Sequence, residues 1–133
     1  MRLTLTLTVH RGTRNIGGSC IELATSAGDR LILDAGRPLD APRDARGLLP
    51  KTLDRMAPAH VIFSHAHMDH WGLVDELPGH WPLWAGNKAA ELMRLTSSLF
   101  GMPLTRDIWT WQSRDRGFRI GPFLVTPFLT DHS

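Results

Sequence analysis

The chain has 133 residues, 42% of them apolar and 21% charged, with a formal net charge of +2 at pH 7. That length suits one domain, and the composition is that of a folded globular chain, which excludes a disordered or low-complexity segment. No apolar run reaches the ~20 residues of a membrane-spanning helix, and the charge excess is too small to argue for nucleic acid by itself, although a pI near 9.3 permits an anionic substrate.

Leu3, Leu5, Leu7 and Val9 alternate with Thr4, Thr6 and Thr8, which predicts a first strand with one apolar face. The alternation is unlike the continuous apolar region of a secretory signal. His10 to Gly18 reads as a turn-rich connection in which Gly12, Gly17 and Gly18 serve as turn residues, since they match no phosphate-binding fingerprint. A second strand is expected over 19–25, a hairpin turn at Ser26-Ala27-Gly28-Asp29 and a third strand from Arg30 to Asp34. The single cysteine, Cys20, lies in the second strand; it can form no internal disulfide, which fits a reducing cytoplasm, and reads as a small buried residue.

From Arg37 to Pro50 the prolines predict a loop, followed by a short helix over 52–56 and a buried strand over 60–63. A helix is expected from Asp69 to Leu77, closed by Pro78-Gly79, with His60 structural and His80 a solvated loop residue. Then come a strand over 81–85 and a helix from Lys88 to Phe100, capped by Asn87, whose Ala89, Leu92, Met93, Leu95 and Leu99 trace a core-facing stripe. Strands over 108–111, 117–120 and 123–128 complete the chain, with Trp109 and Trp111 on one face for packing or, less commonly, base stacking. No repeat or linker divides residues 1–133, so a single domain is expected.

The stretch Ser64-His65-Ala66-His67-Met68-Asp69-His70-Trp71-Gly72 carries the chemistry. Side chains alternate along an extended segment, so His65 and His67 point the same way, and a helix starting near Asp69 keeps Asp69 and His70 in its first turn. Imidazole nitrogens and a carboxylate are donors that zinc accepts, and manganese or iron also fits such a set. A shuffled chain of this composition carries the His-x-His-x-Asp-His pattern roughly once in a thousand. Asp69 as a helix cap explains one residue of the pattern and leaves three histidines unexplained.

The stretch resembles the signature of the metallo-β-lactamase superfamily. Upstream, Ile16-Gly17-Gly18-Ser19-Cys20-Ile21-Glu22 and Leu31-Ile32-Leu33-Asp34-Ala35-Gly36 are similar to the N-terminal strands of its ribonuclease J-like, β-CASP-type members. Val125-Thr126-Pro127-Phe128-Leu129-Thr130-Asp131-His132-Ser133 resembles the segment carrying the next histidine ligand. The resemblance implies an α/β (α+β) fold: the N-terminal half of an αβ/βα sandwich, a mixed, mostly antiparallel sheet with flanking helices. It also implies two zinc ions, the first on His65, His67 and His132 and the second on Asp69 and His70. Asp69 is in addition the candidate catalytic residue, aligning the attacking hydroxide. Asp34 either orients a ligand histidine from behind or is an ordinary strand-terminal turn residue.

The implied reaction is phosphodiester hydrolysis of RNA by a zinc-bound hydroxide, in the cytoplasm; a thioester or ester hydrolase is the alternative on the same fold. Arg11, Arg14, Arg43, Arg46 and Lys51 are candidates for contacting a polyanion and equally for an ordinary solvated surface. The family pattern also needs a later metal-bridging aspartate, a further histidine, the second half of the sandwich and, in β-CASP nucleases, an inserted substrate domain. The expectation is therefore an N-terminal portion of a longer enzyme or a truncated, non-catalytic zinc-binding fragment, with a homo-oligomer or a missing C-terminal half as the partner.

Overall fold

A computed structural model describes residues 2–112 and 116–132; Ser133, the last residue of the Asp-His-Ser match, lies outside them. Six strands lie side by side in chain order: Leu5–Arg11 (β1), Cys20–Thr25 (β2), Arg30–Leu33 (β3), His60–Phe63 (β4), Leu83–Gly86 (β5) and Ile108–Trp111 (β6). The first three pair antiparallel through hairpins, and β3 through β6 pair parallel. The switch follows from the connections: Gly28, at φ +97°, closes a tight turn between β2 and β3, whereas the later links are long enough for crossovers. Phe118–Ile120 (β7) and Phe123–Val125 (β8) form a separate antiparallel hairpin. This is the α/β arrangement expected, although its later strand pairs are parallel.

The register sorts side chains into two faces. Ile32, Val61, Leu83 and Ala85 point to one, where they bury with Cys20, Phe63, Trp71, Leu73, Trp81 and Met93. Leu31, Leu33, Ile62 and Trp84 point to the other, where Phe118 and Ile120 of the hairpin cover them. Leu5, Leu7 and Val9 share this second face through their partners Thr25, Leu23 and Ile21, yet Leu5 and Leu7 are 61% and 62% exposed.

Several expected elements change. Residues 52–56 are not helical: Leu53 N–H bonds Pro50 O, and the Asp54 carboxylate takes the Met56 N–H at 2.8 Å, a local turn that competes with a helix. The helix expected over 69–77 breaks into Met68–Trp71 (α1) and a 3-10 turn, Val74–Glu76. Leu73 N–H leaves the helix to bond Ala35 O at 3.0 Å, and Gly72 packs so tightly that a Cβ there would lie 2.5 Å from Met68 O.

The long helix is Asn87–Leu99 (α2), so Asn87 is its first residue; Gly86 stands at the cap without a side-chain bond. Its buried face is Ala90, Met93 and Ser97, while Leu92, Leu95 and Leu99 of the expected stripe are exposed. Small residues let α2 approach the sheet, and positions 90, 93 and 97 are the ones one and two turns apart that face it. The strand expected over 123–128 stops at Val125, and Trp109 and Trp111 stack on Trp84 and Phe118.

Candidate metal centre

β3 and β4 are parallel neighbours, so their carboxyl ends deliver Asp34 and Ser64-His65 to the same rim of the sheet. In open α/β sheets that rim is where ligand sites form. Asp34 turns the chain there with φ +65°, a left-handed conformation that non-glycine residues adopt at some cost and that clusters at functional sites. The turn lets Asp34–Arg37 lace onto α1 through the backbone. Ala35 N–H bonds His70 O at 2.9 Å, and Arg37 N–H bonds Met68 O at 3.1 Å. Gly36 permits this approach, because a Cβ there would lie 1.6 Å from Asp69 O. Ser19 N–H, just before β2, reaches the same oxygen at 3.2 Å and also fixes Asp69. Trp71, buried, donates its indole N–H to Ala66 O at 2.9 Å and pins the His65–His67 loop from below.

The Asp34 carboxylate organises the imidazoles. Its Oδ1 accepts the Ser64 N–H at 2.7 Å, and its Oδ2 accepts the Ser64 hydroxyl at 2.8 Å. The same Oδ2 lies 2.7 Å from His70 Nδ1; a carboxylate only accepts, so Nδ1 carries the proton and His70 Nε2 presents its lone pair. The Ser64 hydroxyl, its proton given to Asp34, accepts from His65 Nδ1 at 2.9 Å, so His65 Nε2 is bare as well. One carboxylate thus sets the tautomer of two histidines, one directly and one through a serine. Asp34 is at once a strand-terminal turn residue, at φ +65°, and the hydrogen-bond partner of the His70 ring. Ser64 is the residue that sequence reasoning missed: it stood inside the motif, and nothing in its spacing shows that its hydroxyl relays Asp34 to His65.

His65, His67 and His132 come together, each offering one ring nitrogen within 4.8 Å of the others. His132 returns from beyond β8 to lie edge-on to His65 with ring centroids 4.7 Å apart. His65 Nε2 faces His67 Nδ1 at 3.1 Å. Two nitrogens this close and aligned need a proton or a cation between them, and the imidazole donor set suits a divalent metal. Asp69 and His70 form a second group beside the first, with Asp69 Oδ2 3.5 Å from His70 Nε2, and the His65 and His70 rings have centroids 4.0 Å apart. The residues present therefore fit a metal, with the larger donor set on the three histidines.

Charge follows the same pattern. Burial, then the neighbouring His70 and His67, lowers the His65 pKa and keeps its ring neutral, the form that ligates. The hydrogen bond to Asp34 raises that of His70. Outside the cluster, His60 accepts the Trp84 indole N–H at 3.1 Å and His80 is exposed beside Trp81, both as expected. Cys20 is fully buried, and burial pushes its thiol up to about 12, so it is inert.

The family description "Metallo-beta-lactamase superfamily" matches residues 14–131. An RNase J-like protein of Methanocaldococcus jannaschii is 43% identical over 68 residues, which are 51% of this chain and 14% of that protein. A crystal structure of a protein of unknown function from Enterococcus faecalis superposes with a TM-score of 0.71 at 21% identity, covering 90% of this chain and 36% of the other. The chain thus spans well under half the length of either relative. At that identity the second likeness concerns fold alone.

Proposed function

The chain belongs to the metallo-beta-lactamase superfamily, a family of metal-dependent hydrolases, and from that premise we propose that it carries the metal-binding half of a phosphodiesterase acting on RNA. The observation that carries the proposal is the convergence of His65, His67 and His132 beside the Asp69–His70 pair. His65, His67 and His132 would hold one ion and Asp69 and His70 would contribute to a second, with zinc the metal best suited to such donors. Divalent ions held there would supply a strong nucleophile from water at neutral pH and would offset charge developing on a phosphoryl oxygen.

The chain's own residues do the rest. Asp34 and Ser64 hold the His65 and His70 rings with their Nε2 lone pairs presented. Asp69, its carbonyl fixed by Ser19 N–H, keeps a carboxylate at the rim that can accept a proton from an attacking water. The choice of RNA is supported by the partial identity to an RNase J-like protein. Because the chain covers a small part of that relative, full turnover is proposed for a site completed by further residues, from more chain or from a second copy.

The test compares zinc-loaded protein on a short single-stranded RNA and on a model thioester. Metal-dependent RNA cleavage that is lost in His67→Ala is the expected outcome. Preference for the thioester rejects the nuclease reading and leaves a hydrolase of small substrates.

A further inference from the structure

A cleft of about 400 Å³, lined by Asp69 but by none of the clustered histidines, opens between the loop after β3, α1 and the end of α2. Its volume falls at the lower end of small-molecule sites, about 300–1,000 Å³. Its apolar lining includes the buried Leu73, the half-buried Met68 and the exposed Met102, and the two methionines are adaptable. At the rim stand Arg43 and Arg46, with Phe100 beside them. The Arg43 guanidinium lies over the Phe100 ring, 5.2 Å from its centroid, and makes no ion pair or hydrogen bond among the described residues. Arg37 and Arg46 donate only to main-chain carbonyls of residues 42–45, so their charges too are unpaired by any carboxylate among the described residues.

The acidic groups lining the cleft are mostly engaged. Glu76 Oε1 accepts the Leu48 and Leu49 N–H groups, Asp75 faces the charge of Arg106, and Asp69 belongs to the metal centre. What remains at the rim is a planar cation stacked on an aromatic ring, beside an apolar lining. That combination suits a ligand with a flat ring and a negative charge.

We propose that this cleft binds one nucleotide of a single-stranded RNA, its base stacked on the Arg43–Phe100 platform and its phosphate paired with Arg43 and Arg46, next to the phosphodiester presented at the metal centre. The inference deepens the nuclease reading and rests on it for the identity of the substrate. Stacking on an aromatic side chain tolerates any base, so the subsite grips the strand without reading sequence.

The test is the binding of a fluorescent RNA decanucleotide to the full chain in EDTA, which separates binding from turnover. Phe100→Ala should weaken binding roughly 5- to 150-fold. The double variant Arg43→Ala/Arg46→Ala should flatten the salt dependence by about 1.4 in log–log slope, with zinc uptake unchanged. Arg43→Ala alone breaks no hydrogen bond and so keeps the test valid if the double variant fails to fold. Equal RNA affinity of variants and parent, or no RNA binding by the parent, overturns the cleft; if the parent still cleaves RNA, the nuclease reading survives it. Binding that the variants weaken, in a parent that hydrolyses the thioester in preference to RNA, keeps the cleft and removes the nuclease reading. Displacement of the RNA by an equal concentration of a glutamate decapeptide shows that charge alone is read and overturns the nucleotide assignment.

Discussion

Asp34 touches no substrate in this account, yet three other residues depend on it. Its carboxylate holds the Ser64 amide and hydroxyl and the His70 ring, and through Ser64 it fixes His65. Removing such an outer partner of metal-binding histidines costs about 10–100-fold in metal affinity. Asp34→Asn should therefore weaken zinc binding by that order with the melting curve nearly unchanged. In the metal-free protein it should also bring the His70 pKa, raised by the Asp34 hydrogen bond, back towards the ordinary value of about 6.5. An NMR titration of the His70 ring reads this directly, and an unchanged His70 would show that Asp34 is only a turn residue. The histidine pattern was legible in the sequence because ligand spacing is local. The Asp34–Ser64 relay was not, because it joins residues 30 positions apart across two parallel strands.

Between elements, the second polar network ties β1, β2, β3 and the loop at Thr52 together. Glu22 accepts from Arg30 at 2.6 Å and pairs with His10 at 2.7 Å, and His10 in turn contacts the Thr52 hydroxyl. Burial alone would raise the Glu22 pKa, but the hydrogen bonds and charges of Arg30 and His10 together outweigh it and hold the carboxyl low. The unfolded chain then binds the proton more readily, so this stabilisation is complete above the ordinary carboxyl range of about 4.3 and is lost as pH falls through the lower, folded pKa. Glu22→Gln should lower stability near neutral pH and flatten the acid limb of a melting-temperature-against-pH curve; an unaltered limb would assign acid unfolding elsewhere. At α2, Met93→Ala should cost about 2–5 kcal/mol, whereas Leu95→Glu should stay within about 0.5 kcal/mol. The reverse order in denaturant titrations would restore the leucine stripe as the core face. That stripe misled because a rough helical period of leucines looks like a buried face. The helix packs through the smaller Ala90 and Ser97, which carry little hydrophobic signal.

For the molecule as a whole, the sheet is covered by helices on one face and only partly by the β7–β8 hairpin on the other. Leu5, Leu7 and Val9 lie on that second face and remain open, at about 25 cal/mol for each Å² of apolar surface kept in water. Alternation made β1 recognisable; what its apolar face packs against is a property of residues outside it and is not written in the strand. The helix expected over 52–56 failed for the same kind of reason in reverse, because a single side chain, Asp54, satisfies two backbone amides locally. The sheet order and the helical cover still bring His65, His67 and His132 from distant parts of the chain to one rim, and the account stands on those residues holding metal. Titration with cobalt(II), followed by its visible absorption, tests that most directly. Saturable binding with a tetrahedral-type spectrum, strongly weakened in His67→Ala and in His132→Ala, is the expected result; no saturable binding, or binding indifferent to both substitutions, would contradict the account.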